Sequence, residues 1–275
     1  MPIQGIIASS HSHGTPFSLD FLVAGGGGAA GGGTTRRGGG GGAGDLRSSV
    51  TLSTAGGSST PTLDSALTGI GVGSTLTISV GSAGTYGNSS GGSTNGGNSV
   101  LTFGATTITS LGGGYGGYGT TSQTAGNKGG SGGGGGGNSS SGGAASGVNT
   151  FAGGAANVAG TSVNGGGGGG AGGAGATSLA SGSGGFGLSS SITGTATTYC
   201  VGGVGTGTAQ SGRTYGWGGD SEVSNANNGV VIVRWLTSAY SGTPTFSGLT
   251  HGSISTTGLY SYVVITAGTS GTMTF

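Results

Sequence analysis

Residues 17–33 read FSLDFLVAGGGGAAGGG, a segment of alternating apolar residues that runs directly into a glycine tract. Phe17, Leu19, Phe21 and Val23 recur at every second position, which predicts a β-strand with one apolar face. The glycines and alanines that follow have no side chains large enough to build a conventional core. The fold therefore has to combine β-strands with long stretches of glycine.

Glycine dominates the composition and excludes several classes of protein. The chain has 275 residues, of which 78 are glycine, while charged residues make up 4 %. Helices are disfavoured because each interior glycine costs about 1 kcal/mol relative to alanine, which argues against a conventional α/β enzyme. The presence of only four prolines, without a strict glycine period, excludes collagen. A formal net charge of +1 argues against nucleic-acid binding.

Targeting and covalent features are few. Cys200 is the single cysteine, so the sequence excludes a disulfide framework and a zinc site built on cysteines. Residues 1–10 have no basic region and only a short apolar run, so no signal peptide is predicted. No stretch approaches the roughly 18 apolar residues of a membrane span, so no membrane insertion is predicted.

Short apolar segments elsewhere also have strand character. The run 230–235 is apolar on both faces until Arg234, which is typical of a buried strand. The remaining segments are 76–80, which alternates; 100–103 and 106–109, which flank a turn at Gly104 and Ala105 and predict a hairpin; and 260–265 and 272–275, which predict a second hairpin joined by 266–271.

Four glycine tracts, 25–33, 38–44, 129–137 and 165–175, alternate with these strands. They are either flexible linkers or ordered polyproline-II helices, in which adjacent helices pair their backbone N–H and C=O groups. The second interpretation is favoured because long unstructured segments between strands of one sheet carry a large ordering cost. The predicted fold is therefore mainly β with glycine-rich polyproline-II-like helices: short strands bracket a glycine-helix bundle, and α-helix is almost absent.

An ordered series of motifs accompanies this pattern. The motifs are FLVAGGGG at 21–28, LTISVGSAG at 76–84, GGNS at 96–99, GLSSSITGT at 187–195 and NGVVIVRW at 228–235. Their order resembles the glycine-rich domain of tail-fibre and other virion proteins of bacteriophages, and the resemblance covers about residues 17–235. Residues 1–10 are similar to the start of phage appendage proteins. The resemblance implies a structural virion protein.

The same resemblance implies three parts of the chain: an N-terminal attachment segment at 1–16, a glycine-rich domain at 17–235 and a C-terminal β-hairpin module at 236–275. In proteins of this kind a similar hairpin usually precedes the glycine-rich domain. Here the chain is permuted, or the segment is a separate β module, or it adds a strand to a neighbouring subunit; folding back onto its own domain is the favoured alternative. The candidate assembly residues are Tyr260, Tyr262, Val264, Met273 and Phe275.

The implied function is host attachment by a tail fibre or receptor-binding tip, through non-catalytic surface binding. Multiple copies would convert weak contacts into avidity, and a homotrimer located in the virion and assembled in the host cytoplasm is expected. The expected partners are other virion proteins and a host cell-surface glycan or outer-membrane protein, without a cofactor or nucleic acid. The alternative is a capsid decoration protein, a head fibre or a self-assembling filament subunit.

Aromatic residues beside an arginine are the candidate receptor contacts. Arg213, Tyr215 and Trp217 alternate and would face one way on an extended segment, where flat rings suit sugars and protein surfaces. The further candidates, expected on loops at one end of the bundle, are Tyr86, Tyr115 and Tyr118. The last two are three residues apart, so a three-fold helix would place them on one edge. The alternative is that these aromatic residues cap or pad the bundle.

Few residues suit metal binding or catalysis. His11 and His13 form a short-spaced pair that would share one face of a strand, and some trimeric phage fibres bind metal through a similar His-x-His; the alternative is a solvent-exposed terminus. Asp220 and Glu222 are the only close carboxylates. No serine elbow accompanied by a placed histidine and acid is visible. The sequence therefore predicts no enzymatic activity.

Overall fold

A computed structural model describes residues 15–33, 36–54, 56, 59–87, 91–119, 124–137, 139–156, 164–206, 210–221 and 225–275 of the protein. Within these ranges the secondary structure consists of β-strands, and no α-helix occurs, which confirms the prediction of a mainly β chain. The strands are β1 (Phe17–Ala24), β2 (Leu46–Ser48), β3 (Leu52–Thr54), β4 (Leu67–Ile70), β5 (Thr75–Ser79), β6 (Ser99–Phe103), β7 (Thr106–Ser110), β8 (Leu188–Ser190), β9 (Thr197–Tyr199), β10 (Val230–Leu236), β11 (Thr245–His251), β12 (Ser255–Thr257) and β13 (Tyr260–Thr274).

Ten of these strands form one antiparallel sheet with the order β2-β1-β10-β13-β5-β6-β7, to which β4 adds at β1, and β11 and β12 add at β13. The sheet rolls until it is nearly closed. Its two ends are joined by the hydroxyl of Ser110 in β7, which donates to the carbonyl oxygens of Val23 (3.0 Å) and Asp45 (2.6 Å). A small second sheet has the order β3-β8-β9.

Several strands lie where the apolar pattern predicts them. β1 and β10 cover the predicted segments and pair directly, with Phe21 opposite Val233. The predicted hairpin at 100–109 is confirmed, since β6 and β7 pair across a turn at Gly104. The φ angle of Gly104 is 56°, in the left-handed region that favours glycine.

The predicted C-terminal hairpin is wrong. Tyr260–Thr274 is one strand, β13, whose first residues pair with β10 and whose last residues pair with β5, so its two halves pair with other strands rather than with each other. Positive φ angles at Gly268 (147°) and Ser270 (52°) permit the strand to change direction between these halves. β13 thereby shares one sheet with strands of the predicted glycine-rich domain.

The central strands are buried on both faces. Along β1, Leu19, Phe21 and Val23 contribute to a first core enclosed by the rolled sheet, whereas Leu22 and Ala24 contribute to a second core. The second core joins the sheet to the glycine region and the small sheet, through Ala43, Leu46, Ala171, Leu188 and Cys200. Burial on both faces explains why β10 lacks the alternation of apolar and polar residues seen in strands with one exposed face.

The glycine region is held together by hydrogen bonds between backbones. Along residues 39–45 the N–H groups donate in turn to three different neighbouring segments, with a period of three and N···O distances of 2.8–3.0 Å. Gly39, Gly42 and Asp45 donate to Gly117, Gly114 and Leu111; Gly40 and Ala43 donate to Gly166 and Gly169; Gly41 and Gly44 donate to Gly219 and Gly216. Ordered pairing of this kind satisfies the backbone groups of a buried segment that has no sheet or helix of its own.

Close approach of the backbones explains why these positions are glycine. A Cβ atom on Gly39 would lie 2.0 Å from the carbonyl oxygen of Gly134, and one on Gly41 would lie 2.0 Å from that of Gly28. Neither glycine has a positive φ angle. Any side chain at these positions would therefore push neighbouring segments apart, whatever its conformational preference.

Candidate binding surface

The glycine tracts 25–33 and 38–44 each have one end at the sheet and the other end away from it. At the sheet, Gly25 follows β1 and donates to the carbonyl oxygen of Asp45, just before β2. Away from the sheet, Gly31 donates to the carbonyl oxygen of Gly39. We call the region beyond Gly31 and Gly39 the distal end. Its residues are tied together by short contacts among Gly32, Arg36, Arg37, Gly119, Gly137 and Thr206: Gly119 donates to Gly32, Arg36 to Gly119 and Gly137 to Arg37 through the backbone, and the Arg37 guanidinium donates to the Thr206 carbonyl oxygen.

A pair of tyrosines lies on the tract that leads to the distal end. The ring centroids of Tyr115 and Tyr118 are 6.1 Å apart with an interplanar angle of 37°, so the two rings are neighbours, as their three-residue spacing predicts. Both side chains are half-buried. The Tyr118 hydroxyl accepts a hydrogen bond of 2.7 Å from the N–H of Ser93, which fixes the position of that ring.

Asparagine side chains complete the hydrogen bonding on this side of the tract. The Oδ1 atoms of Asn98 and Asn95 accept hydrogen bonds from the N–H groups of Gly112 (2.9 Å) and Tyr115 (3.0 Å). The two acceptors are three residues apart and so are their two donors. This spacing matches the three-residue period of the backbone hydrogen bonds made by residues 39–45. Neither asparagine was predicted as a functional residue, although their three-residue spacing beside a glycine tract is a detectable signal.

The structure brings Tyr86 into the same neighbourhood. Its flanking residues Thr85 and Gly87 are bonded to the segment 93–94, since Thr94 N–H donates to the Thr85 carbonyl oxygen (3.1 Å) and Gly87 N–H donates to the Ser93 hydroxyl (3.2 Å). Ser93 is the same residue that binds the Tyr118 hydroxyl. Three of the predicted receptor contacts, the tyrosines at 86, 115 and 118, therefore belong to one connected region, which we call the tyrosine surface.

Of the remaining predicted contacts, Trp217 is buried, and Arg213 and Tyr215 are half-buried. Arg213 donates to Asp220 (2.6 Å), to Asn227 (3.0 Å) and to backbone carbonyls, and its guanidinium lies 5.8 Å from the ring centroid of Trp217. Trp217 is 7 % exposed. A buried ring and a guanidinium engaged within the chain favour the alternative interpretation, in which these residues pad the bundle.

The segment 213–217 is not extended throughout, so its alternation does not place the three side chains on one face. Tyr215 and Gly216 form a turn, and Gly216 has a φ angle of 73°. The turn sends Tyr215 against the second core, away from the alternation that would have aligned it with its neighbours. A Cβ atom on Gly216 would meet the sulfur of Cys200 at 2.6 Å, so both space and backbone conformation require glycine there.

Ion pairs neutralise most of the described carboxylates. Asp220 is fully buried and pairs with Arg213, while Arg47 pairs with Asp64 and Arg234 pairs with Asp20. Hydrogen bonding to Asp64 raises the pKa of the Arg47 guanidinium. These arrangements are those of structural ion pairs, in which each carboxylate is held by a guanidinium.

Asp45 is a buried carboxylate of a different kind. Its oxygens accept hydrogen bonds from the N–H groups of Val148 (3.3 Å) and Asn149 (3.1 Å), and the residue is 1 % exposed. Burial raises the pKa of the Asp45 carboxyl above its usual value of 3.8, and the backbone donors offset only part of that effect. The carboxylate fastens the turn at 147–150 to the start of β2.

The structure describes the candidate assembly residues but not the candidate metal ligands. His11 and His13 lie outside the described residues, and the part of the chain that is described contains no group of three or more histidine, cysteine or acidic residues able to hold a metal ion. The five candidate assembly residues all contact their own chain. Met273 and Phe275 are buried in the first core, Tyr262 and Val264 pack on the second, and the Tyr260 ring centroid lies 4.2 Å from the Arg234 guanidinium.

Comparisons with protein families, with curated proteins and with solved structures find no match to this chain. The fold and the tyrosine surface therefore have to be interpreted from their own chemistry. Within the described ranges, no helix has the length and apolar character needed to cross a membrane.

Proposed function

We propose that the chain is a structural protein of a bacteriophage virion, a component of a tail fibre or receptor-binding tip that attaches to the host by non-catalytic surface binding. The observation that carries the proposal is the tyrosine surface: a neighbouring pair of half-buried rings on a body whose interior is paired backbone. Aromatic rings beside amide side chains suit sugars and protein surfaces. The proposed partners are a host cell-surface glycan or outer-membrane protein and other virion proteins.

The proposal includes a bundle of polyproline-II helices as the rigid body. Support comes from the three-residue period with which residues 39–45 donate to three neighbouring segments, because a helix with three residues per turn directs successive N–H groups to three sides. Glycine at the points of closest approach is expected in such a bundle. A body held in this way would keep the tyrosine surface in one conformation and limit the entropy lost on binding.

The ends of the described chain suggest how the body would be oriented. The rings of Phe17, at the start of β1, and Phe275, after β13, have centroids 5.4 Å apart, and both residues lie at the end of the sheet remote from the glycine tracts. Attachment to the virion through residues 1–16 would therefore direct the distal end outward. Assembly as a homotrimer would present three copies of the tyrosine surface and raise avidity.

Electron microscopy tests the location. Antibodies raised against the purified chain are expected to label the tail or another appendage of phage particles. Labelling confined to the capsid would favour the decoration-protein alternative, and particles that contain the chain nowhere would overturn the proposal of a virion protein.

An adsorption assay tests the site. The free chain is expected to compete with phage for host cells, and the double substitution Tyr115→Ala and Tyr118→Ala is expected to weaken competition by about tenfold or more, given about 0.5–1.5 kcal/mol beyond area burial for each aromatic contact. Leu259→Ala, which truncates a side chain 75 % exposed on the turn between β12 and β13, is the matched control. Equal competition by both variants would exclude the tyrosine surface as the contact.

The alternative of a capsid decoration protein, head fibre or self-assembling filament depends on strand exchange through the C-terminal segment. β13 pairs with β5, β10, β11 and β12 of its own chain, and Met273 is fully buried in its own core. A strand so engaged is a poor donor to another subunit. We therefore favour the attachment protein, and a chain truncated after residue 235 is expected to lose its fold rather than only its assembly.

A further inference from the structure

An open groove adjoins the tyrosine surface. Its volume is about 270 Å³, and the residues that line it include Leu111 and four polar side chains, those of Asn95, Asn98, Lys128 and Ser146. Asn95 connects the groove to the tyrosine pair, since its Oδ1 accepts the N–H of Tyr115 at 3.0 Å. The groove is therefore continuous with the region already proposed to contact the host.

Lys128 gives the groove its charge. It is the one lysine of the chain, and its side chain is exposed. Within the described ranges, the ion pairs of Asp20, Asp64 and Asp220 are made with arginines, and Asp45 is buried among backbone donors, so the Lys128 ammonium has no carboxylate partner there. An exposed cation in a polar groove attracts anionic groups.

The surrounding side chains offer further hydrogen bonds in a fixed arrangement. Asn95 is engaged at both ends of its amide, because its Oδ1 accepts hydrogen bonds from Tyr115 and Asn127 and its Nδ2 donates to the Lys128 carbonyl oxygen (2.9 Å), which holds the backbone of the lysine in place. Asn98 uses its Oδ1 on Gly112, while its Nδ2 donates to no other described residue. The Ser146 hydroxyl donates to Gly129 (2.8 Å), so its oxygen can still accept. The groove thus combines one cation, one amide donor and one hydroxyl acceptor.

We propose that this groove binds a single anionic sugar unit of a host surface polysaccharide, with the acidic group at Lys128 and sugar hydroxyls at Asn98 and Ser146. A charged group and hydroxyls on one small ring match the donors and acceptors of the groove, whereas a neutral sugar would leave the ammonium without a partner. The inference rests on the proposed function, because it names the ligand class of that same surface.

Nuclear magnetic resonance titration of the isotope-labelled chain tests the groove directly. Galacturonic acid and galactose 6-phosphate are the probes for a carboxylate and a phosphate, and neutral galactose is the reference. The amide signals of Asn95, Asn98 and Lys128 are expected to shift with at least one acidic probe and to need a concentration about tenfold higher for galactose. Equal shifts with galactose would overturn the inference.

Two variants of the same lysine isolate the charge. Lys128→Gln is expected to weaken binding of the acidic probe by about tenfold, while Lys128→Arg retains most of the affinity. Both change an exposed side chain, so their circular dichroism spectra should match the wild type. If the glutamine variant bound the acidic probe as well as the wild type, the groove would not be the site.

Adsorption to host cells separates this inference from the proposed function. If the wild-type chain adsorbs and Lys128→Gln adsorbs equally well, the attachment function stands and the groove inference fails. If the acidic probe binds and requires Lys128 but the chain does not compete with phage on host cells, the sugar site stands and the attachment function fails.

Discussion

Gly41 and Gly28 pack backbone against backbone, so closely that a Cβ atom on Gly41 would lie 2.0 Å from the Gly28 carbonyl oxygen. The N–H of Gly41 also donates to the carbonyl oxygen of Gly219 at 2.8 Å, and the carbonyl oxygen of Gly41 accepts a hydrogen bond from the N–H of Gly203 at 2.9 Å. One residue without a side chain thus touches three other segments. The interior of the glycine region is thus stabilised by close packing and hydrogen bonding between backbones.

Gly41→Ala is expected to lower the free energy of unfolding by at least about 3 kcal/mol, because overpacking costs about 1–3 kcal/mol or more and here the obstacle is backbone that cannot rotate away. Gly71→Ala is the matched control, since a Cβ there meets nothing within 4 Å and the φ angle is not positive. Urea unfolding followed by tryptophan fluorescence measures both. Equal stability of the two variants would contradict the close packing.

Hydrogen exchange tests whether the tracts are ordered in solution. The N–H groups of Gly134 and Gly168 donate to Gly40 and Gly203 at 2.8 Å, so their amide protons are expected to exchange as slowly as those of β1. The amide of Val72, on the exposed turn between β4 and β5, should exchange faster. Exchange of the tract amides at free-peptide rates would show that they are not paired.

Removing the guanidinium from Asp220 is expected to be costly. Arg213→Ala leaves a fully buried carboxylate without its cation, and breaking one partner of a buried pair costs about 3–5 kcal/mol. Combining Arg213→Ala with Asp220→Asn removes the uncompensated charge and should recover part of the loss. A thermal denaturation series with both single variants and the double variant measures the coupling, and a purely additive result would mean that the pair does not act as a unit.

The pH dependence of stability should carry the signature of Asp45. Its folded pKa is raised above 3.8, so the native state binds this proton more tightly than the unfolded state does. The resulting stabilisation is fully present below about pH 3.8 and is lost as the pH rises through the folded pKa. The stability of the wild type relative to Asp45→Asn should therefore increase as the pH is lowered from 7 towards 4. Urea unfolding across that range measures it, and parallel pH profiles for the two proteins would contradict the raised pKa.

Local patterns predicted the regular parts of the fold. The alternation at 17–23 and the apolar run at 230–235 specify β1 and β10, because period two and burial on both faces are directly visible in the side chains. The three-residue spacing of Tyr115 and Tyr118 likewise indicates that their rings are neighbours. In each case the relevant information lies within a few consecutive residues.

The errors arose where long-range contacts decide the conformation. Positive φ angles at Gly268 and Ser270 lie between the half of β13 that pairs with β10 and the half that pairs with β5. Similarly, Arg213 points inward because a buried carboxylate seven residues away needs a cation. Neither the strands that pair with β13 nor the carboxylate that pairs with Arg213 can be assigned from the spacing of residues in the sequence alone.

The three-sided pairing of the glycine tracts has a consequence for sequence change. At residues 39–45 the backbone N–H groups all donate to backbone carbonyls of other segments, whereas on the tract 111–119 the N–H groups of Gly112 and Tyr115 donate to the side-chain oxygens of Asn98 and Asn95. A run of uninterrupted glycine is thus a mark of the interior of the glycine region, and the side chains of Tyr115 and Tyr118 mark its periphery. Substitutions at that periphery can vary the outer chemistry one residue at a time while the central backbone lattice stays the same.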